Sequence, residues 1–197
     1  MGLLPDEVVK DTDVENALQN NKDYEKFCLI YFMVSMTQHE IGKSFDFLQI
    51  VDFNFNSYEE FSSKKDLSYY TVLILATCGD YDVFKTQLAR KSIKKVALFS
   101  ENGRKFVNSV IKNDFKTAQF IILAILEELK YDPIMAENLS NFRRLIDTSF
   151  TKMFLKAYTR VKISAVSDCL LMNQSECKQF LESEIKRGRI DFKIDED

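Results

Sequence analysis

Apolar residues recur three and four positions apart along most of the chain, with polar positions between them. This spacing places the apolar side chains on one face of a helix. Six consecutive apolar residues within 67–78 would also suit a buried strand, but the cap before them and Gly79 after them favour a helix. The pattern therefore predicts a mainly α protein, with helices at 13–20, 24–41, 44–53, 67–78, 80–90, 102–112, 115–129 and 134–158.

The predicted helix 24–41 is apolar nearly all round. One face carries Phe27, Ile30, Tyr31, Val34 and Gln38. Further apolar residues widen that face until little polar surface remains: Cys28, Leu29, Phe32, Met33 and Met36. A helix with this pattern is typical of a buried position, so we expect it to lie between neighbouring elements.

Short polar residues and one proline mark where the helices begin and end. Asp80 is a candidate N-cap, as is Asp114 or Asn113 before the long apolar helix. Pro133 interrupts the pattern after Asp132, because proline cannot continue a helix and restricts the residue before it. The basic segment 91–97 has little periodicity, and we expect it to be a weakly structured link.

The stretch 158–194 changes period twice. Val161 and Ile163 alternate with polar residues and predict a short strand. Helical spacing follows from Ser164, breaks at 172–174 and resumes from Ser175 until Gly188. Alternation over 189–194 predicts a second strand. Strand, helix, helix, strand is the order of a winged helix, here at the end of a predicted helical-repeat (TPR-like) stack.

Composition and charge argue against nucleic acid as a partner. The net charge is −3 and the pI about 5.4, so no global attraction to polyanions exists. The second helix of the winged helix would be the DNA reader, and it offers Lys178 and Gln179. Three acids on the same helix would face phosphates: Glu176, Glu182 and Glu184. We expect no nucleic acid and, without a long apolar run, no membrane span.

Enzyme and metal chemistry have few residues to use. His39 is the only histidine, and no nucleophile or phosphate-binding motif accompanies it. The four cysteines have no C-x-x-C spacing and no secretory leader precedes them, so we expect reduced thiols in a protein of the cytoplasm and nucleus: Cys28, Cys78, Cys169 and Cys177. We expect no catalytic residue, no cofactor and no metal site.

Four local segments carry a resemblance to a known family. They lie at 55–59, 70–85, 155–161 and 188–195, in the family's order and spacing. The last is the most specific, because Gly188-Arg189-Ile190-Asp191-Phe192-Lys193-Ile194-Asp195 is similar to the family's Gly-Arg-Leu-x-Cys-Lys-Ile-Asp. In these segments the chain resembles the PCI-domain proteins, which occur in the proteasome lid, the COP nine signalosome and initiation factor three.

The resemblance implies a non-catalytic scaffold and a division of the chain. Residues 1–66 would be a shortened helical-repeat region, 67–157 the helical part of the PCI domain and 158–197 its winged helix. The partners would be other PCI-domain subunits of a large complex such as the proteasome lid, together with the base ATPases. The family continues with a returning wing strand that this sequence lacks, so the second strand should keep an open edge. The residues expected to form the two interface strands are Val161, Lys162, Ile163, Arg189, Ile190, Asp191, Phe192, Lys193 and Ile194.

Overall fold

The protein is mainly α-helical, as the hydrophobic pattern predicts. The computed structural model describes residues 22–38, 43, 44, 46, 47 and 62–193, and within these ranges it has nine α-helices and no strand. The chain divides into two compact units, Met1–Ser63 and Lys64–Asp197. The predicted helix 13–20, most of the predicted helix 44–53 and Ile194 lie outside the described residues.

The first unit contains helix α1, Lys22–Thr37. One of its faces is buried through Cys28, Leu29, Phe32 and Met36. The face expected to mark the core is partly exposed instead, and Phe27 keeps 45% of its surface accessible. The expectation that this helix lies buried between neighbouring elements is therefore wrong for this face, where Phe27, Ile30 and Val34 are exposed. The ring of Tyr31 lies between those of Phe27, 4.3 Å away, and Phe47, 5.4 Å away.

The second unit contains the remaining helices. In chain order they are α2 (Lys64–Ala76), α3 (Tyr81–Ala89), α4 (Lys91–Ala97), α5 (Glu101–Ile111), α6 (Phe115–Glu128), α7 (Leu139–Leu155), α8 (Ile163–Leu170) and α9 (Gln174–Lys186). Two 3₁₀ turns, Leu129–Tyr131 and Ala136–Asn138, flank the predicted break at Pro133. No helix in the described ranges is long and apolar enough to cross a membrane.

Helix α2 lies at the centre of the second unit. Every residue from Leu67 to Ala76 is buried, and the helix packs against α3, α4, α5 and α7. Its buried polar groups find partners, as such groups must. Ser68 donates to Ser100 Oγ at 2.8 Å, and Tyr70 donates to Asp132 Oδ2 at 2.7 Å. The consecutive apolar run therefore belongs to a helix buried on all sides, not to a strand.

A row of phenylalanine rings joins four helices in the core. Phe84 of α3 meets Phe106 of α5 edge-on at 6.2 Å between ring centroids. Phe150 of α7 lies 6.4 Å from Phe106 and 5.8 Å from Phe115 of α6. Aromatic pairs at these separations add about 0.5–1.5 kcal/mol each beyond the area they bury.

The helix caps follow the sequence closely. Asp80 accepts hydrogen bonds from the backbone N–H groups of Asp82 and Val83, and Asp114 accepts one from Thr117. Ser100 caps α5 by accepting from the N–H of Gly103 at 2.9 Å. A Cβ on Gly103 would lie 1.9 Å from the carbonyl oxygen of Ala97, so only glycine fits there.

Residues 91–97 form helix α4, so the prediction of a weakly structured link is wrong. Ile93, Val96 and Ala97 are buried, at positions three and four apart, and α4 packs against α2. The lysines between them point away from this face and are exposed. Tertiary packing therefore stabilises a helix that is too short to form alone.

The two predicted strands are absent from the described residues. The segment 159–162 is a bend followed by coil, and helix α8 begins at Ile163 with Lys162 as its N-cap, not Ser164. The segment 189–193 is likewise bend and coil. A strand needs a neighbour to pair with, and neither segment has one in the part of the chain that the structure describes.

The break between α8 and α9 uses other residues than expected. Leu171 takes the left-handed conformation at φ 54°, and Asn173, not Ser175, caps α9. Asn173 and Glu176 form a reciprocal capping box, with bonds of 2.8 and 3.3 Å. Gly188 ends the helix at φ +67°, as predicted.

Candidate functional site

The two segments expected to form interface strands line one groove. Its cavity has a volume of about 910 Å³. We name it the 155–193 groove, after the residues that line it: Leu155, Thr159, Arg160, Val161, Lys162, Ile163, Ser164, Val166, Gln174, Leu181, Ile185, Asp191, Phe192 and Lys193. The structure thus brings 160–163 and 191–193 together, although it gives neither the strand conformation.

Three helices position the groove. Leu155 is the last residue of α7, Val166 lies on α8, and Leu181 lies on α9. All three side chains are buried, and α8 packs against both α7 and α9. The apolar floor is therefore rigid, because it belongs to the packed core of the second unit.

Four large apolar residues of this region are only half-buried. They are Ile163, Phe180, Ile185 and Phe192, and three of them line the groove. The core here consists instead of Val166, Cys169, Leu170, Cys177, Leu181 and Ile190. Apolar surface is consequently left in the groove, where a bound chain could cover it.

The backbone of the groove walls has unused hydrogen-bonding groups. Residues 159–161 and 191–193 make no backbone hydrogen bond to any other described residue. Lys162 has an extended backbone, with φ −75° and ψ 140°, and its carbonyl accepts bonds from the N–H groups of Ala165 and Val166. Unpaired N–H and C=O groups on an exposed segment can pair with another chain.

The rim of the groove is cationic. Arg160, Lys162 and Lys193 are exposed, and Asp191 is the one acidic residue that lines the cavity in the described part. None of these four side chains forms an ion pair with another described residue. The three cations are therefore free to meet a carboxylate or a phosphate.

A buried glutamate fixes the wall that ends in 191–193. Glu184 has no exposed side-chain surface, and its Oε1 pairs with Arg144 and Arg187 at 3.4 and 3.1 Å. Its Oε2 accepts from Thr148 at 2.9 Å and pairs with Arg189 at 3.5 Å. Its backbone carbonyl accepts from the N–H of Arg189 at 2.9 Å. The carboxylate and carbonyl of one residue thus hold the chain as it leaves α9.

The sequence interpretation missed this role of Glu184. It counted the residue with Glu176 and Glu182 among the acids that would face phosphates. Glu184 follows Cys177 and Leu181 at spacings of seven and three residues, and all three are buried. That helical spacing is the signal that would have placed it inside.

A second buried carboxylate holds the end of α8. Asp147 of α7 accepts from the amide of Gln119 and from Arg143 Nε, the latter at 2.9 Å. Burial raises the pKa of Asp147 above its usual range, and the nearby Arg143 and Gln119 oppose this only in part. Arg143 also donates to the carbonyl of Leu170 at 3.1 Å, which links the network to the last turn of α8.

The four cysteines lie in environments with little access to solvent. Cys28, Cys169 and Cys177 are buried, and none of the four forms a disulfide with a described residue. Burial raises the pKa of Cys169 to about 12 and that of Cys177 to about 11. Cys78, half-buried just after α2, has its pKa raised to about 12 for the same reason. Thiols in such environments are inert.

The other residues considered for catalysis, metal binding or DNA binding are not among the described residues that line the groove. His39 is outside the described residues. Across 22–38 and 62–193, no group of three histidine, cysteine, aspartate or glutamate side chains could hold a metal ion. On α9, Lys178 pairs with Glu182 at 3.9 Å, while Arg187 pairs with Glu184.

No protein-family model matches this chain, and no curated protein or solved structure matches it either. The role of the 155–193 groove therefore rests on its own residues and geometry.

Proposed function

We propose that this chain is a non-catalytic scaffold subunit that joins a large assembly through PCI-type contacts at the 155–193 groove. One observation carries the proposal. Two separate segments, 159–163 and 191–193, meet at one groove beside an apolar floor, and 159–161 and 191–193 make no backbone hydrogen bond to another described residue. A neighbouring chain that pairs with these groups would give each segment the partner that a strand requires.

The assembly we propose is the lid of the 26S proteasome regulatory particle. Support comes from the sequence segments at 55–59, 70–85, 155–161 and 188–195, which resemble segments of non-ATPase lid subunit seven. In this proposal α2–α7 correspond to the TPR-like helical part of a PCI domain and α8–α9 to its winged helix. The chain would contribute to ubiquitin-dependent protein degradation in cytoplasm and nucleus, with other lid subunits and the base ATPases as partners.

A related scaffold is the alternative within the same class. Subunit one of the COP nine signalosome has the same proposed architecture, and the groove would serve it by the same contacts. The two assignments predict different neighbouring subunits, so the experiment below distinguishes them.

A winged helix that binds nucleic acid is the alternative from another class. It has weaker support, because Glu176 and Glu182 are exposed on α9 and would face the phosphates. Arg187 and Arg189, which could contact phosphates, pair with Glu184 instead. A filter-binding assay over a salt series tests this alternative, since phosphate contacts give a steep loss of affinity with salt.

The direct test of the proposed function is native mass spectrometry of the tagged chain purified from its own cells. We expect proteasome lid subunits at stoichiometric amounts. Signalosome subunits in their place would keep the scaffold role and change the assembly. A chain recovered alone, or with nucleic acid, would overturn the proposal.

A further inference from the structure

We propose that the 155–193 groove binds an extended peptide segment of a partner protein in which acidic and apolar residues alternate. The identity of the partner rests on the proposed function above. The chemistry of the segment rests on the groove alone, through its charge, its floor and its backbone.

The charge of the rim selects acidic side chains. Arg160, Lys162 and Lys193 outnumber the single carboxylate of Asp191, and no described residue neutralises them. All four side chains are exposed at the rim. A peptide with two or three carboxylates would complement this charge, whereas a basic peptide would be repelled.

The floor selects apolar side chains at every second position. Leu155, Val166 and Leu181 form its buried base, while Val161 and Phe192 are half-buried and still present surface to the cavity. In an extended chain, successive side chains point to opposite sides. One set can therefore reach the floor while the other set meets the cations of the rim.

The walls favour an extended chain over a helix. Residues 159–161 and 191–193 make no backbone hydrogen bond to any other residue that the structure describes, so their N–H and C=O groups can pair with a bound chain. An extended peptide can satisfy them by adding as a strand, as in other β-augmentation complexes. A helix has already used its backbone groups within itself and would leave those of the walls unpaired.

The test is fluorescence anisotropy with the purified full chain and a labelled hexapeptide, Asp-Val-Glu-Ile-Asp-Val. Six residues is about the usual strand length. We expect saturable binding that weakens as salt is added, because the contacts at the rim are screened. A peptide with lysine at the acidic positions should bind at least about tenfold more weakly. Methylation of alternate backbone nitrogens should also weaken binding, because it removes donors without changing side chains.

Matched variants assign the binding to the groove. The double variant Lys162→Glu/Lys193→Glu should weaken peptide binding about tenfold or more. Neither lysine makes an ion pair with a described residue, so the fold should tolerate both changes. Lys116→Glu is the control, since Lys116 is exposed on α6 and does not line the groove. It should bind the peptide as the unchanged chain does.

Four results would overturn the proposal. They are no binding of the acidic peptide, equal binding of the lysine peptide, unchanged binding by the double variant, and tighter binding of a single-stranded oligonucleotide. A further variant neutralises the acidic residues at 195–197 to amides. If only that variant bound the peptide, the groove would belong to this chain's own acidic segment, and the partner proposal would fail.

The assay separates this inference from the proposed function, because it uses the chain in isolation. If lid subunits co-purified with the chain but the isolated chain did not bind the peptide, the scaffold role would stand and the proposed peptide chemistry would be rejected. If the chain bound the peptide but no lid subunit co-purified with it, the peptide chemistry would stand and the proposed lid function would be rejected.

Discussion

The hydroxyl of Thr148 donates a hydrogen bond to Glu184 Oε2 at 2.9 Å, which joins α7 to α9. These two helices supply Leu155 and Leu181 to the 155–193 groove. Arg144, one turn before Thr148, pairs with the other oxygen of the same carboxylate. The groove wall is therefore tied to the core by one buried charge whose partners come from α7 and from the segment after α9.

Replacement of Glu184 by alanine should destabilise the second unit strongly. Removing one partner of a buried ion pair typically costs about 3–5 kcal/mol, and the arginines here are partly exposed, so we expect about 2–4 kcal/mol. Urea unfolding followed by circular dichroism measures the change. Glu182→Ala is the control, because its pair with Lys178 is exposed and should contribute less than about 1 kcal/mol. Equal losses for the two variants would contradict a structural role for Glu184.

The buried carboxyl group of Asp147 should make the stability of the protein depend on pH. Burial raises its pKa above the usual 3.8, so the folded protein holds this proton more tightly than the unfolded chain does. The protonated side chain therefore stabilises the folded protein relative to the ionised one. This contribution is complete at low pH and is lost as the pH rises through the folded-state pKa. The free energy of unfolding of the unchanged chain, relative to Asp147→Asn, should therefore fall as the pH rises above 3.8, the ordinary pKa of the unfolded side chain.

The control for this experiment is Asp168→Asn, because Asp168 is exposed on α8. A fall of the same size for Asp168→Asn would show that the burial of Asp147 is not the cause. If the difference for Asp147→Asn rose with pH instead, Arg143 would dominate the carboxylate and the assigned cause would be wrong.

Gly103→Ala tests the close approach of α5 to the end of α4. The new Cβ would lie 1.9 Å from the carbonyl oxygen of Ala97, which is backbone and cannot move aside easily. We expect a loss of about 1–3 kcal/mol, as for other overpacked sites, although alanine normally favours a helix. Asn108→Ala, at an exposed position of the same helix, should be neutral or stabilising. If the melting temperature of Gly103→Ala were higher than that of the unchanged chain, the close contact between Gly103 and Ala97 would be refuted.

The cysteines should be unreactive in the folded protein. The pKa of Cys169 is about 12 and that of Cys177 about 11, because both are buried, so few thiolates exist at neutral pH. Alkylation by iodoacetamide, followed by intact-mass spectrometry, should be slow until denaturant is added. Ser140→Cys, at an exposed position of α7, gives the reactive comparison. Rapid modification of Cys169 without denaturant would show that its environment is more open than described.

Local chemistry allowed much of the helical fold to be predicted. Asp80 and Asp114 cap helices, Pro133 breaks one and Gly188 ends one, because each acts on the backbone within a few residues. Helix α4 was missed because its stability comes from contact with α2, which no short stretch of sequence contains.

The sequence predicted two interface strands and no groove. Val161 and Phe192 were singled out from short alternating patterns, and both line the cavity. Their strand conformation does not occur in the described residues, because alternation over so few positions fits coil equally well when no pairing partner exists. The anchor Glu184 was missed because its burial depends on arginines from α7 and from the segment after α9.

The most direct test of the scaffold role is site-specific photo-crosslinking from the groove within the native assembly. A benzoylphenylalanine in place of Phe192 would lie in the groove, and the same residue in place of Lys116 gives the control on α6. We predict that position 192 crosslinks to a PCI-domain subunit and that position 116 does not crosslink to the same peptide. A crosslink from 192 to nucleic acid, or none to any protein, would contradict the account.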